Sequence, residues 1–225
     1  MPGCSWWLRV YHRPAMGESR EYLEPYFQAA RRHGAGFGAL LWATPATQAA
    51  RFDAICRMAD LNGRSVLDVG CGRTDFFDHL NARRIKVARY VGLEAVPALV
   101  DAARAKAREN YEIVEADFVA EPERLCAGAQ VIVLSGSLNT LEATELYATL
   151  RRAYEAAEEM LVFNFLCSTR LAGASYLRWR SVDDVMKFAA MLSARVRRIE
   201  DYLPGDCTVA MEKTIQPRMK TDGHR

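Results

Sequence analysis

Apolar positions along the chain change rhythm near residue 64. Over residues 18–33 they recur every three or four positions, at Tyr22, Tyr26, Phe27 and Ala30, and predict a helix closed by Gly34, Gly36 and Gly38. Thr44-Pro45 opens a second helix with an apolar face of Phe52, Ile55, Cys56 and Ala59, and Asn62-Gly63 closes it. Short apolar runs then alternate with helical patterns. Strands are predicted over 65–69, 88–93, 111–116, 130–134 and 160–166, with helices over 75–83, 97–108 and 141–159 between them. Such alternation builds a parallel sheet covered by helices on both faces. Near the end, Ser181-Val-Asp-Asp184 resembles a capping box, with Asp in place of the usual Glu or Gln, and starts a helix to about 194. Strands over 196–203 and 207–214 flank a turn at Pro204-Gly205-Asp206, which predicts an antiparallel hairpin. The fold class is therefore α/β, a seven-stranded, mostly parallel sheet.

Composition narrows the picture. Half of the 225 residues are apolar and 26% are charged, enough for a packed core. A net charge of +2 argues against a nucleic-acid partner, which calls for a strong basic excess. No apolar run approaches the roughly 18 residues of a membrane span, and the N-terminus lacks the pattern of a secretory signal. Six scattered cysteines without a C-x-x-C pair read as reduced thiols, with no metal framework, so a cytoplasmic protein is expected. Four segments are expected: an irregular extension over 1–17, a helical lid over 18–44, the main domain over 45–214 and a flexible tail over 215–225. Met16 is an alternative start.

In an open α/β sheet, ligands bind beyond the carboxyl ends of the strands, near the switch in strand order. The first strand ends in Asp68-Val69-Gly70-Cys71-Gly72, the second in Glu94, the third in Asp117-Phe118 and the fourth in Ser135-Gly136-Ser137. Gly70 and Gly72 permit a tight turn and close approach of a ligand to bare peptide. Glu94 suits two hydrogen bonds from a ribose diol. It is expected to face solvent, so that Glu94→Gln costs cofactor affinity but little stability. Asp117 suits an exocyclic adenine amino group, with the Phe118 N–H on a ring nitrogen. Asp68 and the carbonyls of Leu134 and Ser135 suit an ammonium group. An amine, a ribose and an adenine together describe S-adenosylmethionine. The NAD fingerprint would place a third glycine where Asp75 stands.

The segments VLDVGCG, YVGLE, EADF and VIVLSGSLN, followed by the hairpin, resemble the class I SAM-dependent methyltransferases over residues 45–214. A bacterial subgroup is more similar still. It carries W-x-S-x-x-x-Q-x-x-R-F (here Trp42 to Phe52, with Thr44 for the Ser), S-G-x-x-N (Ser135 to Asn139), F-N-x-L (Phe163 to Leu166) and D-Y-x-x-x-x-x-T (Asp201 to Thr208). The resemblance implies a Rossmann-like fold, the cofactor S-adenosylmethionine with S-adenosylhomocysteine as product, and a place for Gln48 and Arg51 near the methionine carboxylate. The implied activity is methylation of an oxygen or nitrogen on a small-molecule or glycan-like acceptor. The family's third loop glycine is Thr74 here, whose hydroxyl is expected to cap the following helix. That departure, and the lack of an assigned base, motivate an alternative: a SAM-binding subunit with weak or no turnover.

Several residues carry two readings. Arg51 is either a ligand contact or a side chain that snorkels from an amphipathic helix. Cys71 reads as a spacer, His79 as surface and His33 as a solvated helix end. Arg170, Tyr176, Arg178 and Trp179 follow the fifth strand, where substrate contact and a packed loop are both open. No N-P-P-Y or D-P-P-Y follows the fourth strand and no Pro-Cys occurs, which disfavours amino methylation of adenine or glutamine and C5-cytosine chemistry.

Overall fold

A computed structural model describes residues 20–106, 108–170 and 172–214. The extension expected over 1–17 and the tail over 215–225 lie outside the described residues. Helix α1 (Glu24–His33) and a 3-10 turn (Phe37–Leu40) precede α2 (Pro45–Met58). Then come β1 (Ser65–Val69), α3 (Asp75–Ala82), β2 (Arg89–Glu94), α4 (Pro97–Arg104) and β3 (Tyr111–Glu115). A 3-10 turn (Pro122–Leu125), β4 (Val131–Leu134), α5 (Ala143–Ala156), β5 (Met160–Leu166), α6 (Val182–Leu192), β6 (Arg195–Ile199) and β7 (Asp206–Glu212) complete the order.

The strand order is β3-β2-β1-β4-β5-β7-β6. Strands β1 to β5 pair in parallel, and β7 pairs antiparallel with both β5 and β6. The chain winds outward from β1 to β3, then returns to place β4 on β1's other side. That reversal leaves a crevice beyond the carboxyl ends of β1 and β4. Leu67, Val69, Ile132, Leu134 and Phe163 face α5 and α6, while Val66, Val131, Val133 and Val162 face α2, α3 and α4. Burial on both faces explains why these strands are almost continuously apolar.

Several element ends differ from the predicted ones. Helix α1 starts at Glu24 instead of 18, because Pro25 occupies its first turn, where a missing N–H costs nothing. Strand β6 stops at Ile199, and residues 200–205 make a longer connection than the expected tight turn. Asp201 leaves the sheet to pair with Arg57 through both carboxylate oxygens, at 3.0 and 2.9 Å. Helix α4 ends at Arg104. Thr44 and Thr47 form a reciprocal capping box on α2. Ser181 caps α6, accepting from Asp184 N–H. Cys56, Cys71, Cys167 and Cys207 are free thiols. The expectation of six reduced thiols extends to Cys4, which lies outside the described residues. Among the described residues no helix is long and apolar enough to cross a membrane.

Gly92 lies mid-strand in β2, and a Cβ there would sit 2.6 Å from Cys71 Sγ and 2.8 Å from Ile113 Cδ1. Gly92→Ala is therefore expected to destabilise by about 1–3 kcal/mol through overpacking. In urea melts Cys71→Gly should recover part of that loss, because it removes one of the two obstructing atoms. Additive losses would show that the two side chains do not compete for space.

Candidate functional site

The turn after β1 forms the floor of the crevice. Gly70 has φ 74°, and a Cβ there would lie 2.5 Å from Ser137 Cβ. Only glycine combines this backbone with that approach. The N–H groups of Gly70 and Cys71 both donate to the Leu93 carbonyl, at 2.8 and 2.9 Å. Gly72 N–H donates to Glu94 Oε2 at 2.8 Å, and Ala95 and Val96 N–H donate to Oε1 at 2.9 Å each. Glu94 thus fastens the β1 turn to the exit of β2. It is 7% exposed, not solvent-facing, and burial raises its pKa against the pull of these three donors. The expectation that Glu94→Gln spares stability is corrected: an amide would turn an N–H toward one of these donors.

Cys71 is the spacer expected, with its thiol buried and its pKa well above the usual value because of desolvation. Thr74 does precede α3, but its hydroxyl does not cap it. The residue is fully buried in the left-handed region (φ 62°), and its Oγ1 meets Arg73 O at 2.6 Å and Tyr111 Oη at 2.8 Å. Turning inward, the hydroxyl finds β3 before it finds the helix N–H groups.

Asp68 is 2% exposed and accepts a short hydrogen bond from the Tyr90 hydroxyl. Burial pushes its pKa up to about 7, although the Tyr90 hydrogen bond opposes the shift. Asp117, 3% exposed, accepts from Val119 and Ala120 N–H and from the Tyr22 hydroxyl on both oxygens, at 3.0 and 2.9 Å. Arg20 Nε adds an ion pair at 3.4 Å. Ser135 is held by Asn164, whose amide donates to Ser135 Oγ at 3.3 Å and accepts from Gly136 N–H at 3.1 Å.

Helix α2 supplies Gln48 and Arg51. Gln48 Nε2 donates to Asp75 Oδ2 at 3.2 Å, and Asp75 also pairs with Arg73 at 2.9 Å. Arg51 does not snorkel. It is 6% exposed, and its Nε and Nη2 both meet Asp206 Oδ2, the Nε bond measuring 2.6 Å. The Tyr202 hydroxyl donates to Asp206 Oδ1, and Thr208 Oγ1 donates to Tyr202 at 2.7 Å. The Arg51 guanidinium lies 4.8 Å from the centroid of the Trp42 ring. The segments around Trp42 and Asp201, far apart in the chain, therefore meet as one network.

These walls enclose a cavity of about 90 Å³. Of the predicted site residues, Gln48, Arg51, Asp68, Gly70, Cys71, Gly72, Glu94, Phe118 and Ser135 line it, while Asp117 faces the N-terminal segment instead. Tyr22, Tyr26, Leu40, Trp42 and Thr140 also line it. Tyr22 and Tyr26 were legible only as a helical apolar face; their spacing is right, but the face they present covers the cavity. Leu177 reaches the cavity from the loop after β5, whereas Arg178 bonds Glu142 and Trp179 is exposed. His79 is partly buried at the edge of α3, where it pairs with Asp53 at 2.7 Å and packs edge-on against Phe52.

Residues 66–159 match the family model described as a methyltransferase domain. That match spans less than half of the chain. Its fold is shared with magnesium protoporphyrin IX methyltransferase from Synechocystis PCC 6803, with a TM-score of 0.61 and 16% identity over 87% of this chain and 98% of that one. That structure contains bound SAH. A DhpI–SAM–HEP complex superposes with a TM-score of 0.61 and 14% identity, covering 86% of this chain and 99% of that one. The pyocyanin biosynthetic protein PhzM gives a TM-score of 0.64 and 22% identity, covering 84% and 62%. No curated protein sequence matches the chain.

Asp68 generates a pH prediction. Its folded pKa of about 7 lies above the unfolded value near 4, so the folded state retains a proton that the unfolded chain has lost. Its contribution to stability therefore falls as pH rises from about 4 to about 7. Asp68→Asn removes this titration. Denaturant melts should show the variant gaining on the parent as pH is raised from about 4.5 to about 8. An unchanged difference between the two pH values would mean that Asp68 does not titrate in this window.

Proposed function

We propose that the chain is a class I methyltransferase and that it transfers a methyl group from S-adenosylmethionine to an oxygen or nitrogen of a small-molecule or glycan-like acceptor, leaving S-adenosylhomocysteine. The observation that carries it is the bare-peptide turn at Gly70 to Gly72, set between two buried carboxylates at the switch point. The residues fit that cofactor. Asp68 would hold its ammonium group, with the Leu134 and Ser135 carbonyls beside it. Gln48 and Arg51 would stand near its carboxylate, and Phe118 beside the adenine. Glu94 already accepts three N–H bonds, and a carboxylate has about four acceptor sites, so one ribose hydroxyl is left for it to bind. Asp117 reaches an adenine amino group only if the Tyr22 hydroxyl gives way, which makes residues 18–44 a lid that shifts as the cofactor enters.

When bound, the cofactor supplies a methyl group made electrophilic by the adjoining positive sulfur. The chain's own part is alignment and exclusion of water. Tyr26, Leu40 and Trp42 cover the cavity from above, and the β1 turn fixes its floor. The alternative of a binding subunit without turnover rested on the lack of an assigned base and on Thr74. Its buried bond to Tyr111 supports a loop that keeps its shape without the third glycine, and this favours the enzyme.

Saturating S-adenosylmethionine should raise the melting temperature. At 100 times the dissociation constant the stabilisation is about 2.7 kcal/mol. A shift with NAD and none with S-adenosylmethionine would overturn the cofactor, and an acceptor screen with labelled S-adenosylmethionine tests turnover. Glu94→Gln should weaken S-adenosylhomocysteine binding by about ten- to a hundredfold and destabilise the unliganded protein by about 1–3 kcal/mol. Loss of affinity at full stability would mean that Glu94 does not support the glycine turn.

A further inference from the structure

Arg51 borders the cavity, whereas Asp206, Tyr202 and Thr208 stand behind its wall. We infer that Asp206 is a positioning residue: held by Tyr202, it fixes one edge of the Arg51 guanidinium so that the remaining edge is presented to the carboxylate of the cofactor. The inference rests on the cofactor reading above and adds the residues that aim its cation.

A guanidinium is planar and offers its N–H groups along two edges, Nε with Nη2 and Nη1 with Nη2. The first edge is taken here. Arg51 Nε meets Asp206 Oδ2 at 2.6 Å, and Nη2 meets the same oxygen. Among the described residues Nη1 has no hydrogen-bond partner, so the second edge is left for a ligand. One face of the guanidinium is covered by Trp42, whose ring centroid lies 4.8 Å away. Gly136 backs that indole, since a Cβ there would come within 2.8 Å of the ring. Gln48, one turn earlier on α2, shares this side of the helix and also lines the cavity.

Asp206 is itself fixed. It opens β7 opposite Leu166 of β5 and is 1% exposed. Its Oδ1 accepts from the Tyr202 hydroxyl, which accepts in turn from Thr208 Oγ1 at 2.7 Å. One carboxylate oxygen therefore belongs to the hairpin and the other to α2.

Aim matters because the cavity is acidic. Asp68, Asp75 and Glu94 line it, and among the lining residues Arg51 alone is a Lys or Arg. An untethered guanidinium on a long side chain would turn to one of these acids, or would give up its rotamer freedom when a ligand bound. Tethered to Asp206, it has lost that freedom in advance, which lowers the cost of binding. The tether dilutes the positive charge, yet it leaves N–H donors in fixed directions, and fork-like recognition of a carboxylate depends on those directions.

Calorimetry on the full chain compares S-adenosylhomocysteine with its decarboxylated counterpart, which keeps the amine and lacks only the carboxylate. The parent is expected to favour S-adenosylhomocysteine by about ten- to a hundredfold, as charge-assisted bonds to one ligand group allow. Asp206→Leu removes the acceptor at similar size. It should weaken S-adenosylhomocysteine by about tenfold or more and leave the decarboxylated ligand within about twofold. Asp206→Asn keeps an acceptor oxygen for Arg51 and should restore most of the preference. Equal weakening of both ligands would show a merely structural role, and tighter S-adenosylhomocysteine in Asp206→Leu would show that Asp206 competes with the ligand. Either result overturns the inference and leaves the cofactor reading in place, as does a parent without preference or a folded Asp206→Asn as poor as Asp206→Leu. Failure of S-adenosylhomocysteine to bind the parent overturns the cofactor reading and this inference with it. If Asp206→Leu does not fold, Tyr202→Phe decides: it removes only the hydroxyl that orients Asp206, and should lower S-adenosylhomocysteine affinity by about three- to tenfold with the decarboxylated ligand unchanged.

Discussion

One carboxylate, that of Glu94, ties the turn after β1 to the exit of β2 at the switch point of the sheet. Its three backbone donors come from the turn after β1 and from the exit of β2. Parallel strands end without any bond that fixes how their following loops lie relative to one another. A buried acceptor that gathers N–H groups from both loops supplies that bond. The Leu93 carbonyl does the same from beneath, accepting from Gly70 and Cys71. The shape of the glycine turn therefore depends on β2 as much as on its own residues, and Thr74 in place of glycine is accommodated by a further tie to β3.

A second anchor sits across the sheet. Arg51 and Asp206 are 155 residues apart, and both are buried. A buried ion pair adds little net stability over an apolar pair, but breaking one partner is costly. Its consequence here is geometric: α2 is pinned to the start of β7, and Trp42 is held over the loop after β4. Tyr202 and Thr208 extend the tie into the hairpin. The walls of the cavity are thus set by contacts between elements, not by any one loop.

Helix α1 makes the third boundary, and its ties are of another kind. Tyr22 reaches Asp117 through a single phenol proton shared between two oxygens, and Tyr26 lies 3.5 Å from the Gly136 carbonyl. These polar ties are few compared with the sheet ladders beneath them. An element held this way exchanges its contacts at lower cost than one stitched into the core.

Strand and helix types, their order, the parallel sheet and the hairpin were all legible in the sequence, because burial on two faces writes continuous apolar runs and βα turns write glycine. The strand-end residues were legible for the same reason: position along a strand determines which end it occupies, and ligands gather at one end. Nine of the ten proposed site residues accordingly line one cavity. What sequence spacing leaves open is which polar group each one meets. Asp117 and Glu94 are both strand-end acids, yet one holds a tyrosine from the turn before α1 and the other three peptide groups. Arg51 looked equally like a snorkelling side chain, because Asp206 is close only in space. Hydrophobic periodicity is a local property of the chain, whereas the partner of a buried charge is decided by which distant element packs against it. Tertiary structure alone settled that.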